Sequence, residues 1–272
     1  MNKLSFSSVM LWFGLLFLYA PMLVLVIYSF NDSKLVTVWG GFSPKWYGEL
    51  FEDQQILDAV WTSLRIAFYS STMAVVIGTM AAFVMTRFKR SWAKLTLSNM
   101  ITAPLVMPEV ITGLSLLLLF VHMADLFGWP KERGMLTVWI AHSTFCAAYV
   151  AVVVSSRLRE LDRSIEEAAM DLGATPLKTF FLITVPMISP ALMAGWLLSF
   201  SLSLDDLVIA SFASGPGATT LPMVVFSSVR MGVSPKINAL ATLIILSVSL
   251  IAFISWYMAR RAEKRDRMPI NE

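Results

Sequence analysis

The chain has 272 residues, 57% of them hydrophobic and only 14% charged, with a net charge of +3 and a mean hydropathy of +0.71. Soluble domains carry charge on about a quarter of their residues, so a water-facing surface could not be covered here. Lipid is the solvent for most of the chain, and the excess positive charge reads as topology signal and basic tail, with no nucleic-acid partner implied.

Six apolar blocks follow one another, at 9–30, 62–86, 99–122, 135–155, 187–213 and 238–259. Each is long enough at helical rise to cross a hydrocarbon core of about 30 Å. A helix satisfies its own backbone in lipid, so the blocks predict an all-α membrane protein with six transmembrane helices in one domain, 1–272. Strands of a membrane barrel would alternate polar and apolar residues, and these blocks do not. The first block is too long for a secretory signal, and no small-x-small site follows Tyr28-Ser29-Phe30-Asn31, so it is expected to stay as helix one.

Lys and Arg placement gives the orientation. With a cytoplasmic N-terminus, fourteen of these residues fall inside, among them Lys3, Arg87, Lys89, Arg90, Arg163 and Arg267. Six fall outside, from Lys34 to Lys236, and Arg65 lies near the outer end of helix two. Both termini are then cytoplasmic. Trp39, Trp46, Trp61 and Trp129 read as the outer aromatic belt, and Trp12, Trp92, Trp256 and Tyr257 as the inner one.

Helix three carries Glu109 fourteen uncharged residues after Lys94, near mid-depth. Pro104 and Pro108 just before it predict a kink or break. In helix four, His142 and Cys146 stand at i, i+4. Two such residues make a poor metal site, so core packing is expected and no metal or other cofactor. Cys146 is the single cysteine and cannot form an intrachain disulfide.

The inner loop between helices four and five, 156–186, is the most informative stretch. Ser164 and Glu167 fit a capping box that starts a short helix near Ile165. Ile165, Ala168, Ala169 and Leu172 then form one apolar face. Gly173 is placed to end that helix in a left-handed conformation. Thr175-Pro176 starts a second, with Leu177, Phe180 and Phe181 on its apolar face. Two amphipathic helices joined at a glycine suit either a partner's groove or the lipid headgroups.

Helix five carries Asp205 and Asp206 after eighteen uncharged residues beyond Pro186. A charge at mid-helix costs about 2.5–3.5 kcal/mol on insertion scales, and no in-span Lys or Arg stands near these acids in sequence. A cation supplied from outside would offset that cost. The two aspartates lie about 100° apart and cannot both face one path squarely. Gly195, Ser199, Ser203, Asp206 and Ala210 form a small polar stripe, which favours Asp206 as the path-facing residue. The same stripe also fits a close helix–helix contact. Beyond Gly215-Pro216-Gly217, residues 220–232 read as a short outer-surface helix, and Ser234-Pro235 caps helix six.

The inner loop also resembles a known family. Glu167-Ala168-Ala169, Gly173, Ile183 and Pro186 match the EAA loop of bacterial ABC importer permeases, with Val185 where leucine is usual. The stretches 101–120, 158–186 and 203–244 are similar to polyamine importer permeases, most closely the putrescine type. The resemblance implies a type I ABC importer permease fold in the inner membrane, non-catalytic in itself. It implies Glu167, Ala168, Ala169 and Gly173 as the coupling surface for a separate ATP-hydrolysing subunit dimer. It further implies a second permease subunit, a paralogue, and a periplasmic polyamine-binding protein. Glu109, Asp205 and Asp206 would then line the path of a cationic substrate, putrescine or spermidine. No G-x-x-x-x-G-K-[ST] occurs, so the chain has no P-loop of its own. A stand-alone secondary transporter or channel would explain the buried acids, but not the loop from Glu167 to Pro186.

Overall fold

The computed structural model describes residues 6–35, 38–88, 91–232 and 234–266. Lys3, Lys89, Arg90 and Arg267, counted toward the inner face, lie outside the described residues. Within the described residues the chain is helical: α1 (Phe6–Tyr28), α2 (Lys45–Glu52), α3 (Gln54–Arg87), α4 (Trp92–Val106), α5 (Glu109–Phe127), α6 (Met135–Glu160), α7 (Arg163–Asp171), α8 (Pro176–Thr179), α9 (Val185–Asp205), α10 (Val208–Ala213), α11 (Leu221–Met231) and α12 (Pro235–Asp266). A π-helical turn, Phe180–Thr184, carries α8 into α9 without a break. Six segments are long and apolar enough to cross a membrane: Phe6–Tyr28, Gln54–Arg87, Glu109–Phe127, Met135–Glu160, Pro176–Asp205 and Pro235–Ile254.

Two apolar blocks prove to be interrupted. The block at 99–122 divides at Met107 and Pro108, both extended, into α4 and α5. Pro108 has no N–H to give the Pro104 carbonyl, so the expected kink is a full break. The block at 187–213 divides at Asp206, whose ψ of 121° ends α9 before α10 begins. Nothing in local propensity marks that second break; the Asp206 side chain makes it, by accepting hydrogen bonds from the first turn of α10.

The chain forms two compact units. In the first, residues 1–54 with 225–272, α1 and α2 both pack on α12. Asn31 organises the turn after α1. Its Nδ2 donates to Val38 O at 2.8 Å, and its Oδ1 accepts from Gly40 N at 2.8 Å. Trp46, expected in the outer aromatic belt, is instead buried, its indole N–H donating to Asn31 O. Trp46 and Leu50 are i, i+4 on α2 and form its inward face, which removes the tryptophan from the interface. Lys236 on α12 pairs with Asp53 at 3.3 Å and Glu49 at 3.8 Å.

The second unit, residues 55–224, is built around α6. Half of α6 is buried, with Val138, Ala141, Cys146, Val150 and Val154 inside. Without a hydrophobic force between helices in lipid, close packing rests on small residues. On α3, Ala67, Ala74, Gly78 and Ala82 supply them. A Cβ at Gly78 would stand 2.7 Å from Val150 Cβ and 2.8 Å from Ala147 O. Gly78→Ala is therefore expected to cost about 1–3 kcal/mol by overpacking. Thermal unfolding in detergent reads this as a lowered midpoint; an unchanged midpoint would contradict the close α3–α6 approach.

Candidate functional site

The two helix breaks face one another through α10, which packs on both α5 and α6. The approach to α5 is close: a Cβ at Gly113 would meet the Phe212 ring at 2.6 Å. The C-terminal carbonyls of α10 are taken up from α6 and the turn before it. Thr137 donates to Ala213 O at 2.7 Å and Arg133 to Phe212 O at 3.1 Å. Both breaks are thereby held in place.

A cavity of about 280 Å3 lies between them. Pro104 and Met107 at the end of α4, Glu109 and Thr112 at the start of α5, and Phe145 and Tyr149 of α6 form part of its wall. Leu202, Asp205 and Asp206 at the end of α9 form another. All three in-span carboxylates singled out in the sequence are therefore gathered at one place. Glu109 is the first residue of α5, where the positive end of the helix dipole favours an anion. Irregular backbone at membrane depth is tolerated where it lines a cavity, which is the situation of Met107-Pro108 and Asp206-Leu207.

The two aspartates differ. Asp205 is exposed toward the cavity, whereas Asp206 is buried. Asp206 Oδ1 accepts from Ile209 N at 3.3 Å, and Oδ2 accepts from Ala210 N at 2.7 Å. Oδ2 also accepts from His142 Nε2 at 3.1 Å. His142 Nδ1 in turn lies 2.7 Å from Ser203 Oγ, which is 3.1 Å from Ser70 Oγ. The stripe of Gly195, Ser199, Ser203, Asp206 and Ala210 is the face that α9 and α10 turn to α6. Gly195 stands against Val150, and the Cys146 thiol lies 3.6 Å from Ser199 O. Asp206 borders the cavity but is the more buried aspartate, because the polar stripe is a helix–helix contact, the alternative that the sequence left open. His142, expected to be core packing only, is the in-span partner of that acid. Its position one turn from Phe145 and two from Tyr149, on the same helical face, was the available signal.

The inner loop forms a separate feature. Helix α7 starts at Arg163 with Asp162 as its cap, not at Ile165 with Ser164. Asp162 Oδ1 accepts from Ser164 N at 2.9 Å, and this backbone hydrogen bond holds the carboxyl below its ordinary pKa. Its C-terminus closes as expected: Gly173 has φ of 89°, Gly173 N donates to Met170 O, and Ala174 N donates to Ala169 O. Thr175 caps α8, with Pro176 at the first helical position.

Within α7, Glu167 and Ala168 are exposed, as is Gly173 after it, while Ala169 is half-buried. The neighbouring Glu166, which no sequence motif singled out, turns inward. Its carboxylate accepts one hydrogen bond from Arg87 at the end of α3, from Nη2 at 3.0 Å, and one from Thr184 at 2.9 Å, and its other oxygen pairs with Arg87 Nε at 2.9 Å as a charge contact. Arg87 also donates to Leu158 O at 3.1 Å, and Arg163 donates to Thr86 O at 2.6 Å. Helix α7 is thus fastened to α3 and to the π-turn that leads into α9, and α3 in turn to α6.

A model of the binding-protein-dependent transport system inner membrane component family matches residues 74–267. The chain is 68% identical over 257 residues to the putrescine transport system permease protein PotI of Escherichia coli (strain K12), covering 94% of this chain and 92% of the relative. It is 38% identical over 248 residues to the spermidine/putrescine transport system permease protein PotC of the same strain, covering 91% of each. In fold it is similar to a bacterial ABC transporter involved in import of the acidic polysaccharide alginate. That likeness has a TM-score of 0.69 over 93% of this chain and 94% of the other, at 14% identity. The broken helices and the fastened inner loop are therefore parts of an ABC permease fold, and the chain belongs to the family of inner membrane components of binding-protein-dependent transport systems.

Proposed function

We propose that this chain is the permease subunit of an ATP-driven importer that carries a polyamine, putrescine foremost, across the inner membrane. The observation that carries the reading is the gathering of Glu109, Asp205 and Asp206 around one cavity at two helix breaks. A polyamine is an aliphatic chain ending in ammonium groups. Exposed carboxylates supply its counter-charge, and Phe145 and Tyr149 supply ring faces for its cations and methylenes. The 68% identity to a putrescine permease supports the same substrate.

Movement is driven from outside the chain. Exposed Glu167 and Ala168, with Ala169 and Gly173, form the surface on which an ATP-hydrolysing dimer docks, flanked by exposed Ile165, Leu172, Leu177 and Phe181. Apolar side chains this exposed beside a charged helix suit a partner's groove. Closure of that dimer pushes α7, and the Glu166 tether passes the push to α3 and to the start of α9. The far end of α9 is Asp205, so the lever acts directly on the cavity. Both termini and the 156–186 loop face the cytoplasm, a second and paralogous permease completes the pathway, and a periplasmic binding protein delivers the polyamine.

Reconstitution with these partners in proteoliposomes tests the reading. Labelled putrescine is expected to accumulate only with ATP and the binding protein present. Accumulation driven by an ion gradient without ATP would overturn it.

A further inference from the structure

Adjacent aspartates at a helix end present a choice of which one meets the substrate, and the environment of Asp206 shows how the choice is made. Its side chain is 4% exposed and accepts three hydrogen bonds: two from the first turn of α10 and one from His142. His142 is fully buried and reaches α9–α10 from α6 with both ring nitrogens, Nε2 on Asp206 and Nδ1 on Ser203. Asp205, one residue earlier and about 100° around the axis, has no ion-pair partner among the described residues, and neither has Glu109.

We propose that His142 is a positioning residue of the cation path. By holding the Asp206 carboxylate against the start of α10, it keeps that charge out of the substrate's reach. Asp205, with Glu109, is left to meet the cation. It also fixes the end of α9 to α6, so the Asp205 carboxylate has one orientation when the helix moves. This inference rests on the reading of the cavity as a polyamine path.

Two substitutions separate the roles of the two ring nitrogens. In His142→Gln the side-chain amide reaches about as far as Nε2 and can still donate to Asp206. In His142→Asn it reaches only as far as Nδ1 and can keep only the Ser203 bond. In the complete reconstituted importer, the quantity to measure is putrescine taken up per ATP hydrolysed, with the loaded binding protein saturating. A role confined to stability would lower uptake and hydrolysis together and leave that ratio unchanged. The expected result is a ratio within about two-fold of the parent for His142→Gln and at least about ten-fold below the parent for His142→Asn, the latter being about 1.4 kcal/mol or more relative to the parent. Equal ratios in the two variants would overturn the proposal. If His142→Asn does not assemble, His142→Ala, which removes both bonds, is expected to show the same drop, and an unchanged ratio there would overturn it as well. Structures of the Gln and Asn complexes give a readout independent of transport: Asp206 stays on the α10 N–H groups in the first and leaves them in the second. Asp206 in the same place in both would overturn the inference, even if no polyamine were carried and only the substrate reading had failed.

Discussion

Glu166→Ala is expected to lower uptake at least ten-fold while the permease still inserts and assembles. The substitution removes the ion-pair partner and hydrogen-bond acceptor of Arg87, whose side chain is only 10% exposed, and leaves that guanidinium with the Leu158 carbonyl alone. Stranding one member of a nearly buried pair costs about 3 kcal/mol, toward the lower end of such values because both side chains keep some solvent. The Thr184 bond goes with it, so α7 comes free of the π-turn that leads into α9. A push on α7 then reaches α3 only through the Arg163–Thr86 bond and has no side-chain link to α9. ATP hydrolysis would continue without matching uptake, and the ratio of the two is the measurement. Replacing both partners, Arg87→Met with Glu166→Met, is expected to be milder than either single change, since no charge remains unpaired. Glu167→Ala is expected to act differently. Exposed and one position on, it should weaken retention of the ATPase in pull-down and leave the α7 tether intact. Uptake by Glu166→Ala at the parent level would contradict the tether.

The second large effect is expected at the cavity. A charge-assisted hydrogen bond contributes about 1.5–3 kcal/mol, so removing one carboxylate–ammonium bond should slow passage by about ten-fold or more. Glu109→Gln and Asp205→Asn each take one such charge from the exposed wall. Together they are expected to reduce putrescine uptake by about a hundred-fold if the two carboxylates act independently. Asp206→Asn should differ in kind. An amide whose oxygen stands at Oδ2 can keep the bonds from Ala210 and His142 but presents an N–H to the Ile209 N–H where Oδ1 stood, so the α9–α10 junction loosens. The expected signature is a lowered melting midpoint and reduced yield, with the ratio of uptake to hydrolysis falling less than in Asp205→Asn.

Much of this architecture was legible in the chain because lipid imposes simple demands. Length and hydropathy located the spans, and Gly173, Thr175-Pro176 and Pro108 marked their local geometry through conformations that few residues adopt. What was not legible depended on which residues meet across helices. The side that Asp206 faces stayed open in the sequence because a polar stripe reads the same whether it borders a pathway or a neighbouring helix. Only the approach of α6, with His142 opposite Ser203 and Asp206, decides between them. Glu166 was eclipsed by Glu167 for a related reason. The motif marks the glutamate on the exposed side, while the partner that selects its neighbour, Arg87, is 79 residues away in sequence. Trp46 was misread because an interfacial tryptophan and a core tryptophan near a helix start have the same local sequence.

The central claim is that the carboxylate-lined space between the two helix breaks is where the substrate passes. A structure of the complete importer, trapped during turnover with putrescine and its loaded binding protein, tests it most directly. An ammonium group about 3 Å from the Asp205 or Glu109 carboxylate, with Asp206 still bonded to His142, is the predicted result. Putrescine seen along a different face of the permease, with the space between α4, α5, α9 and α10 closed by side chains throughout the cycle, would contradict it.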